Sequence, residues 1–149
     1  VSGALPHYKS GPDSYQVSAL VLGGQIVIPT SANATTVAAC AASGALNVLG
    51  VAGNDASPYV SQAAFTDANA GGQPLVDISV LPDYVAVYHG VDVRVTYEAA
   101  CSFGQQIMTA ATAGNVKAWD GVTPSTIIGR CTQPGGVTAG ATVARARIN

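Results

Sequence analysis

The sequence predicts an all-β protein: a compact β-sandwich or β-barrel built from two similar half-modules, with an extended N-terminal arm. Three observations carry this. Short β-type runs recur along the whole chain, separated by turn dipeptides such as Gly23-Gly24, Pro82-Asp83, His89-Gly90, Asp120-Gly121 and Gly135-Gly136. From Val91 to Glu98 apolar and polar residues alternate without exception, the period of a strand with one packed and one open face. The third is an internal echo. Gly24-Gln25-Ile26-Val27, followed by Val48-Leu49-Gly50-Val51-Ala52, returns as Gly104-Gln105-Gln106-Ile107, followed by Ile127-Ile128-Gly129-Arg130-Cys131. The paired glycines are offset by 80 and 79 positions, so one module has been used twice.

Taken in order, residues 1–14 hold two Pro, two Gly and three Ser with no periodic pattern, and read as an extended arm. Its anchoring side chains are Leu5, Tyr8 and Lys9. Residues 15–149 read as a single β domain. Expected strands are 15–22, 25–28, 36–40 and 46–51 in the first half, then 75–81 and 84–88. The second half adds 91–98, 105–109, 116–119, 126–131 and 142–148. In the last of these Ala144, Ala146 and Ile148 face inward and Arg145 and Arg147 outward. Between the halves, Ser57-Pro58 has the form of a helix N-cap followed by proline, with Tyr59, Val60, Ala63 and Ala64 on one helical face and Gly71 as a stop. A short helix and a loop insertion fit that segment equally. Glycine inside a strand pattern marks a bulge or a close backbone approach, so Gly24, Gly50, Gly104 and Gly129 are expected to be structural positions.

Composition sets limits on function. The chain has 149 residues, 48% of them hydrophobic but only 6% aromatic, so its core is built from many small side chains. Charged residues are 9%, against roughly 25% in an average soluble domain, which leaves a surface suited to close contact with neighbours. Net charge is −2, and along the chain only Arg145 and Arg147 cluster, so the basic footprint of a nucleic-acid binder is missing. No apolar run approaches the ~20 residues of a membrane span, and no signal peptide is visible. Cys40, Cys101 and Cys131 are odd in number and without Cys-x-x-Cys spacing, which points to buried free thiols rather than a disulfide framework or zinc.

The residues that could carry chemistry are few. His7 lies in the arm. His89 sits beside a turn glycine, with Asp83 or Asp92 as conceivable orienting partners, but its setting suits an exposed turn residue. The eight carboxylates are Asp13, Asp55, Asp67, Asp77, Asp83, Asp92, Glu98 and Asp120; several fall in turn signals, where Asp commonly bonds local backbone. Gly53-Asn54-Asp55 is too short to match a calcium loop, and Asn33-Ala34-Thr35 is a bare sequon. Nucleophile elbows, phosphate loops, dinucleotide fingerprints and zinc helices are absent. The sequence therefore suggests no catalytic residue, no metal and no cofactor. Trp119, Tyr84, Tyr88 and Tyr97 are the stacking candidates of an alternative reading, a stand-alone sugar-binding β-sandwich; the plainer role for Trp119 is a core or interface anchor. An enzyme built on an Asp pair or His89 is the third reading.

The run Gly24-Gln25-Ile26-Val27-Ile28 … Val37-Ala38-Ala39 … Val48-Leu49-Gly50-Val51-Ala52 carries a family likeness. It continues through Val91-Asp92-Val93, Gly104-Gln105-Gln106-Ile107 … Ile127-Ile128-Gly129-Arg130-Cys131 and Ala144-Arg145-Ala146-Arg147-Ile148. Together these resemble the small head proteins of tailed bacteriophages, the capsid decoration or cement proteins, over residues 15–56 and 84–149. The resemblance implies a homotrimer on the outer surface of a virion, bound to the major capsid protein at a three-fold or quasi-three-fold point, with arms reaching neighbouring subunits. It implies no catalytic residue. The segment 54–73 departs from the family pattern by its length. A protein that bridges capsomers needs contact area more than reactive groups. An extended arm of 14 residues would reach roughly 45 Å and could add a strand to an exposed sheet edge.

Overall fold

The computed structural model describes residues 12–32, 34–58 and 81–149. The arm residues Leu5, Tyr8 and Lys9, most of the segment following Ser57, and nearly all of the expected strand 75–81 lie outside the described residues. Within them the fold is all-β: ten strands, one 3-10 turn at Pro124–Thr126 and no α-helix.

The strands close into two five-stranded barrels. The first contains β1 (Asp13–Val17), β2 (Ile26–Pro29), β3 (Thr36–Ala39), β4 (Gly50–Ala52) and β5 (Tyr84–Tyr88), in the order β1-β3-β2-β4-β5. The second contains β6 (Val91–Tyr97), β7 (Gln106–Thr109), β8 (Val116–Ala118), β9 (Gly129–Cys131) and β10 (Thr142–Ile148), in the order β6-β8-β7-β9-β10. In each barrel one neighbouring pair is parallel, β1 with β3 and β6 with β8, and every other pair is antiparallel.

The echo in the sequence is a duplication of topology and of register. Val17 pairs with Val37, and 80 and 79 positions later Tyr97 pairs with Val116. Val27 opposes Ala39 and Gly50; Ile107 opposes Ala118 and Gly129. The fifth strands keep the correspondence with a smaller offset of 59: Ser14 opposes Ala86, and Arg94 opposes Arg145. The isolated bridge Val21 to Ala56 has its counterpart in Cys101 to Val137. Nearly all of the difference in length between the halves therefore falls between Ala56 and Tyr84, where the first module carries 22 residues more than the second does between Val137 and Val143.

Gln25 and Gln105 show why the Gly-Gln pair recurs. Gln25 Oε1 accepts from the Leu22 amide at 2.8 Å, and Gln105 Oε1 accepts from the Ser102 amide at 2.9 Å. The glycine before each has positive φ, +88° at Gly24 and +78° at Gly104. Each glycine amide also bonds across to β4 or its counterpart, Gly24 to the Ala52 carbonyl at 2.7 Å and Gly104 to the Cys131 carbonyl at 2.8 Å. Only a residue free to adopt the left-handed region lets the chain turn there while keeping both bonds.

The interior of the first barrel is filled by small apolar side chains: Val17, Val21, Val27, Val37, Ala52, Ala56, Val85 and Val87. The second is filled by Val95, Tyr97, Ile107, Val116, Cys131, Ala144, Ala146 and Ile148, among others. Ile26, Cys40 and Val51 join that second cluster although they belong to β2 and β4 and the end of β3. Alternation points them out of the first barrel, and the second barrel covers them. Their counterparts Gln106 and Arg130 are exposed and Trp119 is half-buried, so the duplicated surface has become a seam on one copy of the module and an open face on the other. Backbone bonds tie the seam: Ile26 N–H donates to the Gly114 carbonyl at 2.9 Å and Gly114 N–H to the Cys40 carbonyl at 2.7 Å. Thr109 Oγ1, fully buried, donates to the Ala42 carbonyl at 2.7 Å and accepts from the Ala45 amide at 2.8 Å.

Several expected strands are shorter than their apolar runs. The first ends at Val17 instead of Leu22, because the chain leaves the barrel there and only Val21 re-enters the core; Leu20 and Leu22 are exposed. It also starts at Asp13, inside the stretch expected to be arm. The run 46–51 supplies strand only from Gly50, with Leu46 70% exposed in a loop. The run 126–131 begins with the end of the 3-10 turn and becomes strand at Gly129.

Candidate functional site

The acids and bases among the described residues do not converge. His89 lies exposed at the tip between β5 and β6. No hydrogen bond joins His89 to either carboxylate considered as its partner, and both bond elsewhere. Asp83 Oδ2 accepts from Gln16 Nε2 at 2.8 Å, and Asp92 Oδ1 from the Thr132 hydroxyl at 3.3 Å. Asp55 accepts from the Gly23 amide at 2.7 Å and Asp120 from the Val122 amide at 3.0 Å, so both hold turns. Glu98 accepts from the Thr112 amide at 3.0 Å, and this bond is the main cause that draws its carboxyl below the usual range, with Lys117 a smaller one. Asn54 is a bracket between strands: its Oδ1 accepts from the Ala86 amide at 2.8 Å and its Nδ2 donates to the Tyr84 carbonyl at 3.2 Å. Among the described residues no three His, Cys, Asp or Glu side chains are placed to hold a metal ion. His7, Asp67 and Asp77 lie outside the described residues.

The three cysteines are buried free thiols. Cys101 is pushed up to about 11, first by burial and then by the neighbouring Cys131. Tyr97, also raised chiefly by burial, donates its hydroxyl to the Arg145 carbonyl at 3.0 Å. These residues occupy the positions of Val21, Ala52 and Val17 in the first barrel, so they fill the second barrel where valine and alanine fill the first.

The four stacking candidates do not form one platform. Tyr97 is in the core with no exposed surface. Trp119 is half-buried, its Nε1 donating to the Thr123 carbonyl at 3.1 Å. Tyr84 and Tyr88 stand outward together on β5, 56% and 37% exposed. Tyr88 lines an open groove of about 480 Å³ at the junction of the modules, together with Val51, Ala52, Val91, Val93 and Arg94.

A feature that sequence order hides is basic. Arg94 on β6 stands directly opposite Arg145 on β10, and Arg147 on β10 directly opposite Arg130 on β9. All four are exposed. In the sequence only Arg145 and Arg147 are neighbours; Arg94 and Arg130 join them through strand pairing, and the alternation of 91–98 alone could have placed Arg94 outward. The structural glycines fall at two kinds of place. Gly24 and Gly104 make the tight turns, while at Gly50 and Gly129 an added Cβ would collide with the carbonyl oxygens of Tyr88 and Arg147.

No protein-family model matches the chain, and no curated protein matches it in sequence. Among solved structures, the crystal structure of the N base of head fiber gp8.5 of bacteriophage phi29 is similar. The alignment has a TM-score of 0.57 and 14% identity and covers 92% of each chain. At that identity the likeness shows a shared fold, and it extends over both barrels because it spans nearly the whole of this chain.

Proposed function

We propose that the chain is a structural, non-enzymatic protein of a tailed-phage head: a decoration or cement protein that binds the outer surface of the virion. The observation that carries this reading is the tandem-barrel architecture, matched over 92% of both chains by the base of a phage head fiber. The scatter of the described acids and bases into turns and brackets supports it, since a surface that bridges other proteins has no need of a reaction centre. In this reading the chain acts as a homotrimer, its partners are itself and the major capsid protein, and the arm with Leu5, Tyr8 and Lys9 makes the capsid contact. Nucleic acid, membrane and cofactors play no part.

The test is native mass followed by co-sedimentation. Multi-angle scattering of the purified chain, alone and bound to shells, is expected to give about three times 14.8 kDa, with the protein pelleting alongside intact shells. A monomer in both settings, or no sedimentation with shells, overturns the reading.

A further inference from the structure

The four outward arginines are not required by the barrel that carries them. Like charges directly opposite one another across a sheet are unfavourable, yet Arg94 faces Arg145 and Arg147 faces Arg130. Among the described residues none of the four is in an ion pair; Asp92, in register with Arg147, bonds Thr132. The duplication provides an internal control. The same four positions in the first barrel are held by Ser14, Ala86, Tyr88 and Val51, and that barrel closes with the same register. Val51 lies in the seam, while Ser14 and Tyr88 are exposed like their arginine counterparts, so closing the barrel does not itself call for the arginines.

The distribution of charge indicates what they meet. Residues 1–90 contain Asp13, Asp55, Asp67, Asp77 and Asp83 against Lys9 alone, a net −4. Residues 91–149 contain Arg94, Lys117, Arg130, Arg145 and Arg147 against Asp92, Glu98 and Asp120, a net +2. The two halves are therefore complementary in sign. On the outward side of β5 in the first module, Tyr84 and Tyr88 are exposed, and the Asp83 carboxylate lies at the head of that strand beside Gln16. Tyrosine faces and a carboxylate are what guanidinium groups bind well, by stacking and by forked hydrogen bonds. The patch is also compact: Arg145 and Arg147 are about 7 Å apart along β10, and the three strands span about 10 Å. A duplex would engage a longer track of phosphates.

We propose that the arginine face on β6, β10 and β9 of one copy docks on the outward β1–β5 face of the first module of a second copy, where Asp83, Tyr84 and Tyr88 stand. This deepens the homo-oligomer reading above and rests on it. A two-fold contact of arginine face on arginine face would set like charges together, so repulsion disfavours it. A head-to-tail contact closes into a ring where the rotation between copies divides a full turn, and a third of a turn gives the trimer.

Sedimentation velocity on the full chain at about 50 mM and about 500 mM salt tests this, since surface charge contacts are screened at the higher value. Self-association of the natural chain is expected to weaken at least tenfold at high salt. R145E/R147E is expected to weaken it at least tenfold at low salt. S14R, which adds charge at the exposed counterpart of Arg94, is expected to do the same, and the three substitutions together are expected to restore it. Unchanged melting of each variant verifies that the barrels are intact; because S14R and R145E/R147E lie on different modules, misfolding of one leaves the other as the test. An oligomer indifferent to salt and to all variants overturns the docking and leaves the homo-oligomer reading standing. A monomer under every condition overturns both. Tight binding of a 30-base-pair duplex that R145E/R147E abolishes, with the oligomer unchanged, assigns the face to nucleic acid and likewise overturns it.

Discussion

Gly129 lies so close against the carbonyl of Arg147 that a Cβ on the glycine would occupy the space of that oxygen, and Gly50 stands in the same relation to Tyr88. Gly129 is in β9 and Arg147 in β10, neighbours across the closing strands of the second barrel; Gly50 and Tyr88 are their counterparts in β4 and β5. The backbone of the fifth strand presses on the fourth at one point in each module. Replacing Gly129 by alanine must push the strands apart or abandon the register, at a cost on the order of 2–3 kcal/mol. Gly50 carries the same clash and also a φ of +152°. Gly104 is the control: nothing lies within 4 Å of its added Cβ and only its φ of +78° is affected, so G104A is expected to cost about 1 kcal/mol. Urea unfolding of the three variants should rank Gly129 and Gly50 well above Gly104; equal losses would show that the fourth strand yields to the side chain.

Asn54 makes a second prediction. Its side-chain amide satisfies the Ala86 N–H and the Tyr84 carbonyl on β5, and Gln133, its counterpart, accepts from the Arg145 N–H at a longer 3.3 Å. N54A strands the partly buried Ala86 N–H and removes the more exposed bond to the Tyr84 carbonyl, and is expected to destabilise by about 1–3 kcal/mol. Q133A, losing one long bond, is expected to cost about 0.5 kcal/mol. A denaturant midpoint shifted as far by Q133A as by N54A would remove the bracket role.

The order of these effects bears on what the sequence makes legible. Alternation places the inward and outward residues of β6 over 91–97 and of β10 over 144–148, because a strand has a period of two; Val143, apolar but 60% exposed, falls outside the pattern. The Gly-Gln and Leu-Gly echoes show the duplication because each repeat meets the same backbone constraint. Apolar runs such as 46–51 mislead, since Leu46 is apolar but sits in a loop and alternation is absent. Closure of each module into its own barrel is invisible along the chain, as it depends on which strands pair at long range. So is the basic face: Arg94 and Arg130 reach Arg145 and Arg147 only through pairings across β10.

The start of β1 at Asp13 sharpens the test of the arm. Removing residues 1–14 would cut into the barrel, since Asp13 and Ser14 pair with Val87 and Ala86. Removing 1–11 leaves β1 whole. The shorter deletion is expected to leave the melting temperature nearly unchanged and to weaken shell binding at least tenfold, about 1.4 kcal/mol. Shell binding as tight as that of the full chain would take the capsid contact away from the arm.

The last prediction concerns pH. Burial raises Cys101 to about 11, above the 8.5 or so of an unfolded thiol. A raised acid holds its proton longer in the folded state than in the unfolded one. Its contribution is therefore complete below about 8.5 and is lost as pH climbs toward 11, because only the unfolded chain then gains by ionising. Glu98 works in the opposite sense at the acid end: its carboxyl is lowered by the Thr112 amide, so its contribution is present above the unfolded value and fades as pH falls through the folded one. Stability measured by urea unfolding from pH 7 to 10.5 is thus expected to decline on the alkaline side. Valine is the natural substitute for Cys101, since Val21 fills the equivalent place beneath the bridge to Ala56. C101V should fold and should flatten that decline, and the native thiol should resist alkylation at pH 8 until the chain is unfolded. Tyr97 retains its own alkaline loss at higher pH, so the flattening is expected between about 8.5 and 10. A C101V protein with the same slope as the natural chain in that interval would show that Cys101 keeps the same proton affinity folded and unfolded.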